Sequence, residues 1–183
     1  MAATLSTMMP LGTVAPDFHL IDTLSGETVG LQDEHAPATV IAFICNHCPY
    51  VLHILDGWIA FSKDVQEDGV RVIAIASNDA VQYPQDGPDA MTLFGRQAGF
   101  THPYLFDSTQ DVARAYQAAC TPDFYVFDSE LRCAYRGRFD GTTPGNQVPV
   151  TGNELRAAVD AVLSGVPVSD EQIPSIGCNI KWK

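Results

Sequence analysis

The chain has 183 residues, of which 46% are hydrophobic and 17% charged, and its 10 basic and 22 acidic side chains give a net charge of −12. This size and composition are typical of one globular domain and exclude a disordered chain. An acidic surface of this kind repels phosphate backbones and anionic lipid, so we expect neither nucleic acid nor a membrane as a partner.

No segment has the pattern of a leader peptide or a membrane span. Residues 1–16 contain no basic n-region and no long apolar h-region, so neither a secretory signal nor an anchor is expected. The longest apolar run, residues 40–45, is far shorter than the roughly 18 residues that a span requires. Five cysteines are an odd number for a secreted disulfide framework. We therefore expect a soluble, cytoplasmic protein.

The first half of the chain predicts a β-hairpin followed by a β-α-β unit. Strand-like residues 14–20 and 27–31 flank a segment, 22–26, in which Asp, Ser and Gly supply turn chemistry. The β-branched run 39–44 predicts a strand buried on both faces. From Pro49 to about residue 67 the apolar residues recur at helical spacing, and strand-type residues return at 70–76. The two strands of this unit should therefore be parallel.

Two helices are expected after this unit. Residues 88–98 predict a helix with Met91 and Phe94 facing inward. Ser108 and Asp111 predict the cap of a further helix, which should end just before residue 120.

The last part of the chain predicts a second hairpin and one more helix. Strands are expected at 124–127 and 133–135, joined by a turn at 128–131. Thr151 and Glu154 form a capping-box pattern ahead of a helix that closes at Gly165. Residues 166–183 show no regular period. We expect a single domain spanning 1–183, with 166–183 as an irregular tail packed on it.

A Cys-x-x-Cys pair, Cys45 and Cys48, lies between the strand 39–44 and the helix that begins near Pro49. A thiolate at a helix N-terminus faces unpaired backbone N–H groups, which lower its pKa from about 8.5 to roughly 3.5–7.5. Two cysteines at this spacing can also close a disulfide, so that one attacks a substrate and the other resolves the mixed disulfide. The spacing therefore predicts thiol–disulfide redox chemistry.

The alternative for this pair is half of a structural zinc site, which needs two further ligands at comparable spacing. Cys120 and Cys133 are too far apart to supply them, and His53 falls on the predicted helix. No metal is therefore expected.

Three segments in this order carry a family resemblance: 45–51 (CNHCPYV), 119–124 (ACTPDF) and 174–183 (PSIGCNIKWK). They resemble the peroxiredoxin-like group of the thioredoxin superfamily, the redoxin-domain proteins related to alkyl hydroperoxide reductases. The resemblance extends from Ala15 to the last residue. It implies an α/β, thioredoxin-like fold with a central mixed sheet of about five strands, helices on both faces and an added N-terminal β-hairpin. It also implies redox activity and no bound cofactor.

Carried over to this chain, the resemblance makes Cys45 the attacking thiol and Cys48 the resolving one. We expect Cys45 at the exposed N-cap of the helix and Cys48 within its first turn. His47 is within reach of either sulfur, and a protonated imidazole would stabilise a thiolate and make the disulfide more oxidising. Pro122 resembles the cis-proline that faces the active-site cysteines, where Thr121 offers backbone groups to an extended substrate. The alternative is a trans proline that begins an edge strand.

The remaining cysteines leave alternatives open. Cys178 is either a third redox thiol, which takes the disulfide from the pair or resolves a sulfenic acid, or a small apolar filler beneath the tail. Cys120 is either a redox thiol near the pair or a buried free cysteine. Cys133, in a predicted strand, is expected to be core.

The sequence departs from the peroxiredoxins proper at their Pro-x-x-x-Thr-x-x-Cys segment. Ala42 stands in place of the threonine and Ala38 in place of the proline, so the network that orients peroxide is incomplete. Arg136 and Arg138 are the residues that could supply the cation of that network.

Three functions therefore compete. The first is a thiol–disulfide oxidoreductase that acts on protein or small-molecule thiols and disulfides. The second is an antioxidant thiol peroxidase that reduces hydroperoxides through a Cys45 sulfenic acid, with Cys48 or Cys178 closing the disulfide. The third is a redox-inert binding domain that uses a hydrophobic ledge formed by Pro49, Tyr50 and Pro122.

Overall fold

The structure, a computed structural model, describes residues 3–183. The ten strands of these residues are, in chain order, β1 (Ala3–Leu5), β2 (His19–Asp22), β3 (Thr28–Gly30), β4 (Ala38–Phe43), β5 (Arg71–Ala76), β6 (Tyr104–Phe106), β7 (Cys120–Thr121), β8 (Asp123–Asp128), β9 (Cys133–Gly137) and β10 (Ile176–Asn179). The four α-helices are α1 (Pro49–Glu67), α2 (Pro88–Ala98), α3 (Asp111–Ala115) and α4 (Asn153–Leu163).

Seven strands form a central mixed sheet in the order β3-β2-β6-β5-β4-β8-β9. Strand β5 pairs in parallel with β4 and with β6, while the remaining pairs are antiparallel. Every residue of β4 and β5 is buried, as expected of strands covered on both faces. The outer pair β3-β2 is the N-terminal hairpin added to five central strands. The predicted thioredoxin-like architecture is therefore confirmed.

Two hydrophobic cores lie on opposite faces of this sheet. One core holds the inner faces of α1, α2 and α4, which pack against side chains such as Val40 and Val72. The other core holds α3 and surrounds Tyr116, against side chains such as Ile41 and Ile73. The alternation of these strand residues between the two cores follows from the two-residue period of a strand.

Helix α1 carries the site and matches its predicted bounds. Pro49 occupies its first turn, where a missing N–H costs little. Its buried residues recur at helical spacing, and they are Val51, Ile54, Trp58, Phe61, Ser62 and Val65. Gly69 follows the helix at φ +79°, a backbone conformation that favours glycine.

Two predicted helix caps are wrong. The first turn of α3 is bound by the Asp107 carboxylate, which accepts from the N–H of Ala113 at 2.9 Å, and α3 ends five residues before Cys120. Ahead of α4, the Asp140 carboxylate accepts from the N–H of Gly152 at 2.7 Å, while Glu154 pairs with Arg138. In both places an aspartate replaces the predicted Ser or Thr cap: Asp107, which directly precedes Ser108, and Asp140, which lies 12 positions before Gly152.

The tail predicted to be irregular contains a strand. Strand β10 lies between β1 and β7 in a second, three-stranded antiparallel sheet. These strands have two to four residues each, too few to show a period in the sequence. The first hairpin strand also starts later than predicted, at His19, and Val14 makes only an isolated bridge with Arg132.

Among residues 3–183, no helix combines the length and the apolar character that crossing a membrane requires.

Candidate active site

The site lies where the end of β4, the start of α1 and the short strand β7 meet. The Cys45 Sγ lies 3.4 Å from the Thr121 Oγ1, and the Cys48 Sγ lies 3.0 Å from the Thr121 carbonyl oxygen. The Thr121–Pro122 peptide bond is cis, as predicted. The structure thus brings together Cys45, Cys48 and Thr121, which are 76 positions apart along the chain at their most distant.

The expected placement of Cys45 is wrong in two respects. The N-cap of α1 is Cys48, so Cys45 lies three residues before the cap and outside the helix. Cys45 is also only 1% exposed, and Cys48 is fully buried. The error arises because the spacer 45–48 forms a loop rather than the first helical turn.

Thiolate charge is therefore favoured at Cys48 rather than at Cys45. The thiols of Cys45 and Cys178 and the N–H groups of Val51 and Cys178 lie where they stabilise a negative charge on the Cys48 sulfur. These donors, the Cys45 thiol first, lower the pKa of Cys48 below that of an ordinary thiol although burial opposes them. When it is protonated, Cys48 donates to the Thr121 carbonyl oxygen at 3.0 Å, a contact that favours the neutral thiol.

The pKa of Cys45 is raised, because its thiol donates a hydrogen bond to Cys48, because it is buried, and because the Asp86 carboxylate lies nearby. The hydroxyl of Thr121 acts in the opposite direction. In the dithiol state the remaining proton of the pair is therefore held on Cys45 and directed at the Cys48 sulfur.

Asp86 is a completely buried carboxylate that organises the loop between the two cysteines. It accepts from the N–H of Asn46 and from the Asn78 side-chain amide, each at 2.9 Å. The His47 Nδ1 lies 2.7 Å from the same carboxylate, and the His47 ring stacks on Tyr83. His47 is within reach of Cys45, as predicted, but its nearest charged group is Asp86.

Replacing Asp86 with asparagine should lower the pKa of Cys45. The substitution removes a negative charge that disfavours the Cys45 thiolate and nearly preserves the shape of the side chain. Each unit of decrease raises the thiolate fraction about tenfold at a pH below the pKa. Alkylation of Cys45, followed by mass spectrometry between pH 7 and 9, should therefore be faster in Asp86→Asn.

The matched control is Asp64→Asn. Asp64 is an exposed carboxylate near the C-terminal end of α1, and it pairs with Arg156 of α4. Cys45 of this variant should react as in the native protein. Equal Cys45 reactivity in Asp86→Asn and Asp64→Asn would contradict the assigned influence of Asp86.

Cys45, His47 and Asp86 are also the residues that could hold a metal ion, since their ligand atoms lie within 4.8 Å of one another. Ligand atoms on tetrahedral zinc stand about 3.3 Å apart. The His47 nitrogen and the Asp86 oxygen approach more closely, at 2.7 Å, as in a direct contact between imidazole and carboxylate. The arrangement therefore fits a direct contact between His47 and Asp86 better than a zinc site.

The remaining cysteines separate into two groups. Cys178, on β10, contacts the Cys48 sulfur, and Cys120, on β7, lies close enough to both for their charges to influence it. Burial raises the pKa of both thiols. Cys133 is buried in the other core, as predicted.

Neither arginine considered for a peroxide-binding pocket contacts the cysteines. Arg138 forms a bidentate pair with Glu154, with its shortest contact at 2.6 Å. Arg136 donates to Gln172 and to the carbonyl oxygen of Met9. Ala42 is completely buried on β4, so no hydroxyl takes the place of the missing threonine there.

An apolar groove of about 180 Å³ adjoins the site. Tyr50 and Pro122, two members of the predicted ledge, line it together with Leu5 of β1 and Ile176 of β10. Pro49, the third member, is exposed.

Asp123, directly after the cis peptide, is a buried acid that the sequence did not single out. Its Oδ2 accepts from the Tyr125 hydroxyl at 3.1 Å, and its Oδ1 has no partner. Burial raises the pKa of Asp123 from 3.8 to about 7. Its position next to Pro122 was the only available signal, because burial of a carboxylate does not appear in sequence.

Stability should therefore fall as the pH rises from about 4 to 7. In this range the native state keeps the Asp123 proton and the unfolded chain has lost it, so the slope of the unfolding free energy against pH is negative. The contribution is at most about 1.4 kcal/mol per pH unit. The stability that Asp123 contributes by keeping its proton is fully present below pH 3.8 and lost above pH 7.

Urea unfolding of the native protein and of Asp123→Asn at pH 5, 6 and 7 measures this contribution. The free energy of unfolding of the native protein minus that of Asp123→Asn should fall steadily as the pH rises. The exposed Asp111→Asn serves as the control, and its difference from the native protein should not vary with pH. A constant difference for Asp123→Asn would contradict the prediction.

Asp86 and Gly177 were also missed by sequence reasoning. Asp86 is 41 positions from Cys45 in a loop rich in Pro and Gly, and nothing in that loop marks an inward-facing carboxylate. Gly177 belonged to a tail without a period, and its importance depends on a contact with Thr121.

Known proteins resemble this chain in sequence and in fold. The model of the AhpC/TSA family matches residues 11–136, more than half of the chain. No curated protein matches this chain. An uncharacterized conserved protein from Geobacillus kaustophilus is 52% identical, with a TM-score of 0.98, over 100% of this chain and 97% of that one. A hypothetical protein from Sinorhizobium meliloti is 46% identical, with a TM-score of 0.96, over 98% of both chains.

The fold extends to more distant structures. The thioredoxin domain of a thiol-disulfide oxidoreductase from Bacteroides vulgatus is 15% identical, with a TM-score of 0.62, over 83% of this chain and 99% of that one. At this identity the similarity concerns the fold alone. Together with the match of the family model, these observations establish that the chain belongs to the AhpC/TSA family of thiol-dependent redox proteins and has a thioredoxin-like fold.

Proposed function

We propose that the protein is a thiol–disulfide oxidoreductase that alternates between the dithiol and the disulfide of Cys45 and Cys48. The observation that supports this most directly is that both sulfurs lie against Thr121, next to cis-Pro122, the Cys45 Sγ 3.4 Å from the Thr121 Oγ1 and the Cys48 Sγ 3.0 Å from the Thr121 carbonyl oxygen. Two cysteines held against one residue at this spacing need only lose two protons and two electrons to form a disulfide.

The roles follow from the unequal pKa values of the pair. A thiol with a lower pKa is the better leaving group, so an incoming thiolate that attacks the disulfide at Cys45 expels Cys48 as a stabilised thiolate. In the reverse direction the same Cys48 thiolate attacks Cys45 in a mixed disulfide. Cys45 therefore bonds to the substrate and Cys48 resolves, although the charge is held on Cys48.

The oxidation of the protein by a substrate disulfide balances in two steps. The Cys45 sulfur attacks one substrate sulfur, the substrate S–S bond breaks, and its other half leaves as a thiolate that takes the Cys45 proton. The Cys48 thiolate then attacks the Cys45 sulfur, the mixed disulfide breaks, and the second half of the substrate departs as a thiolate that takes up from solvent the proton that Cys48 had released. One substrate disulfide becomes two thiols, and the dithiol of the protein becomes a disulfide.

Thiol peroxidase activity is the second candidate, and one contact favours it. The Thr121 hydroxyl, 3.4 Å from the Cys45 sulfur, could orient a peroxide as the missing threonine would. The guanidinium groups of Arg136 and Arg138 are engaged elsewhere, so the charge that stabilises a peroxidatic thiolate is not supplied by them. Exchange with disulfides is therefore the better supported function.

One experiment separates the candidates. The reduced protein is treated with hydrogen peroxide or with oxidised glutathione, and formation of the Cys45–Cys48 disulfide is followed by mass spectrometry. We expect the faster reaction with oxidised glutathione. A much faster reaction with peroxide would favour the peroxidase, and no reaction with either would favour the binding domain.

A further inference from the structure

Strand β10 occupies the backbone edge of Thr121 and Cys120. Cys178 pairs with Thr121 and Asn179 with Cys120, in antiparallel register. The edge of a strand presents unpaired backbone groups to which an extended peptide can add. Here the chain's own C-terminal strand fills the position next to cis-Pro122 that the family resemblance assigns to an extended substrate.

The fit of β10 to this edge depends on Gly177. A Cβ placed on Gly177 would lie 2.0 Å from the Thr121 carbonyl oxygen and 3.1 Å from the Pro122 nitrogen. Only glycine allows so close an approach of two backbones. Its backbone is extended rather than left-handed, so close packing and not a positive φ requires the residue.

This approach directs Cys178 at the Cys48 sulfur. Cys178 pairs with Thr121, whose carbonyl oxygen lies 3.0 Å from the Cys48 Sγ. The thiol and the N–H of Cys178 also act to lower the pKa of Cys48, as the Cys45 thiol does. Cys48 is thus the neighbour of both other cysteines, and all three side chains are at most 4% exposed.

The segment after β10 fixes this position. The N–H of Lys181 donates to the Asn78 side chain at 2.8 Å, and its carbonyl oxygen accepts from Gln110 and from the N–H of Asp79, both at 2.8 Å. On its other edge β10 pairs with β1. These hydrogen bonds and the pairing with β1 therefore fix the position of Cys178 beside Cys48.

We propose that Cys178 is an internal exchange partner, placed by β10 as an extended substrate would be, which takes the disulfide from Cys45–Cys48. The inference rests on the proposed function. The Cys178 sulfur attacks the Cys48 sulfur, the Cys48–Cys178 bond forms, and the Cys45–Cys48 bond breaks. Cys45 leaves with the electron pair and takes the proton that Cys178 gives up, so the number of disulfides and thiols is unchanged.

The exchange frees the thiol that bonds to substrates while the oxidising equivalent stays in the protein. Cys45 would then be ready for a second substrate, and the Cys48–Cys178 bond would hold β10 closed over the site.

Tryptic mapping distinguishes the two disulfides. Residues 1–63 contain no Lys or Arg before Lys63, so Cys45 and Cys48 share one peptide, while Cys178 lies in the peptide 157–181. The full-length reduced protein is oxidised with oxidised glutathione, blocked with N-ethylmaleimide in acid and digested without reductant. We expect both the closed 1–63 peptide and a cross-link between 1–63 and 157–181, with Cys45 alkylated in the cross-linked form.

Two variants make the test decisive. In Cys45→Ser the cross-link should become the main product, and in Cys178→Ser the alkylated Cys45 of the one-disulfide protein should disappear. Cys133→Ser, which changes a thiol in the other core, should give the native map.

The failures are distinguishable. If only the closed 1–63 peptide forms, and Cys45→Ser ends as a glutathione adduct at Cys48, the exchange partner is wrong and the proposed function stands. If the native protein forms no bond between Cys45 and Cys48, the proposed function is wrong, and the exchange that starts from that bond is wrong with it.

Discussion

Replacing Cys45 with serine should strongly slow exchange with an external disulfide, which then reacts only at Cys48, whereas replacing Cys48 with serine should trap the protein as a mixed disulfide. Cys45 forms the bond to the substrate, so its loss removes the nucleophile. Cys48 attacks that bond, so its loss leaves the adduct unresolved. Turnover should fall on the order of 10³-fold in both variants, because the two sulfurs act as a unit.

Intact mass separates the two variants where turnover does not. After treatment with oxidised glutathione, Cys48→Ser should carry one glutathione at Cys45, and Cys45→Ser should carry none at residue 45. Cys133→Ser should turn over as the native protein does, since its sulfur lies in the core on the opposite face of the sheet. A stable adduct at Cys48 in the native protein would reverse the two roles.

The reactivity of Cys45 in Cys48→Ser also tests the electrostatics of the pair. The hydrogen bond to Cys48 is the largest cause that raises the pKa of Cys45. A serine hydroxyl stays neutral, so Cys45 no longer competes with a neighbouring thiolate for one proton. We therefore expect Cys45 to alkylate faster in Cys48→Ser than in the native protein at the same pH.

Sequence patterns predicted the elements whose period is long enough to show. The helix 49–67, the buried strand before it and both hairpins of the central sheet could be read from apolar spacing and turn residues. The pair Cys45 and Cys48 and the proline at 122 were found by motif. These parts depend on neighbours in sequence.

The rest of the site depends on contacts between distant segments. Asp86 reaches the cysteine loop from 41 positions away, and β10 approaches Thr121 from more than 50. The error about Cys45 has the same origin, because a Cys-x-x-Cys spacing does not state where the helix begins. The mutual influence of the two thiols, burial and the charge of Asp86 then raise the pKa of Cys45, while its thiol lowers the pKa of Cys48.

Replacing Gly177 with alanine should destabilise the fold by about 3 kcal/mol, the upper end of the cost of overpacking a close contact. The added Cβ would overlap the Thr121 carbonyl oxygen, and backbone rather than a flexible side chain would have to move. Either β10 retreats and its pairing with β7 is lost, or the Thr121 carbonyl shifts away from Cys48. Urea unfolding measures the loss of free energy.

Gly141→Ala is the matched control. A Cβ there meets its nearest atom at 3.6 Å, ordinary van der Waals contact, so its stability should stay within about 1 kcal/mol of the native protein. Retreat of β10 should also uncover the buried sulfurs, so Cys45 and Cys48 should alkylate faster in folded Gly177→Ala but not in Gly141→Ala. Equal stability and equal cysteine reactivity of the two alanine variants would show that Gly177 is not in close contact with the Thr121 backbone. The placement of Cys178 beside Cys48 would then lose its structural basis.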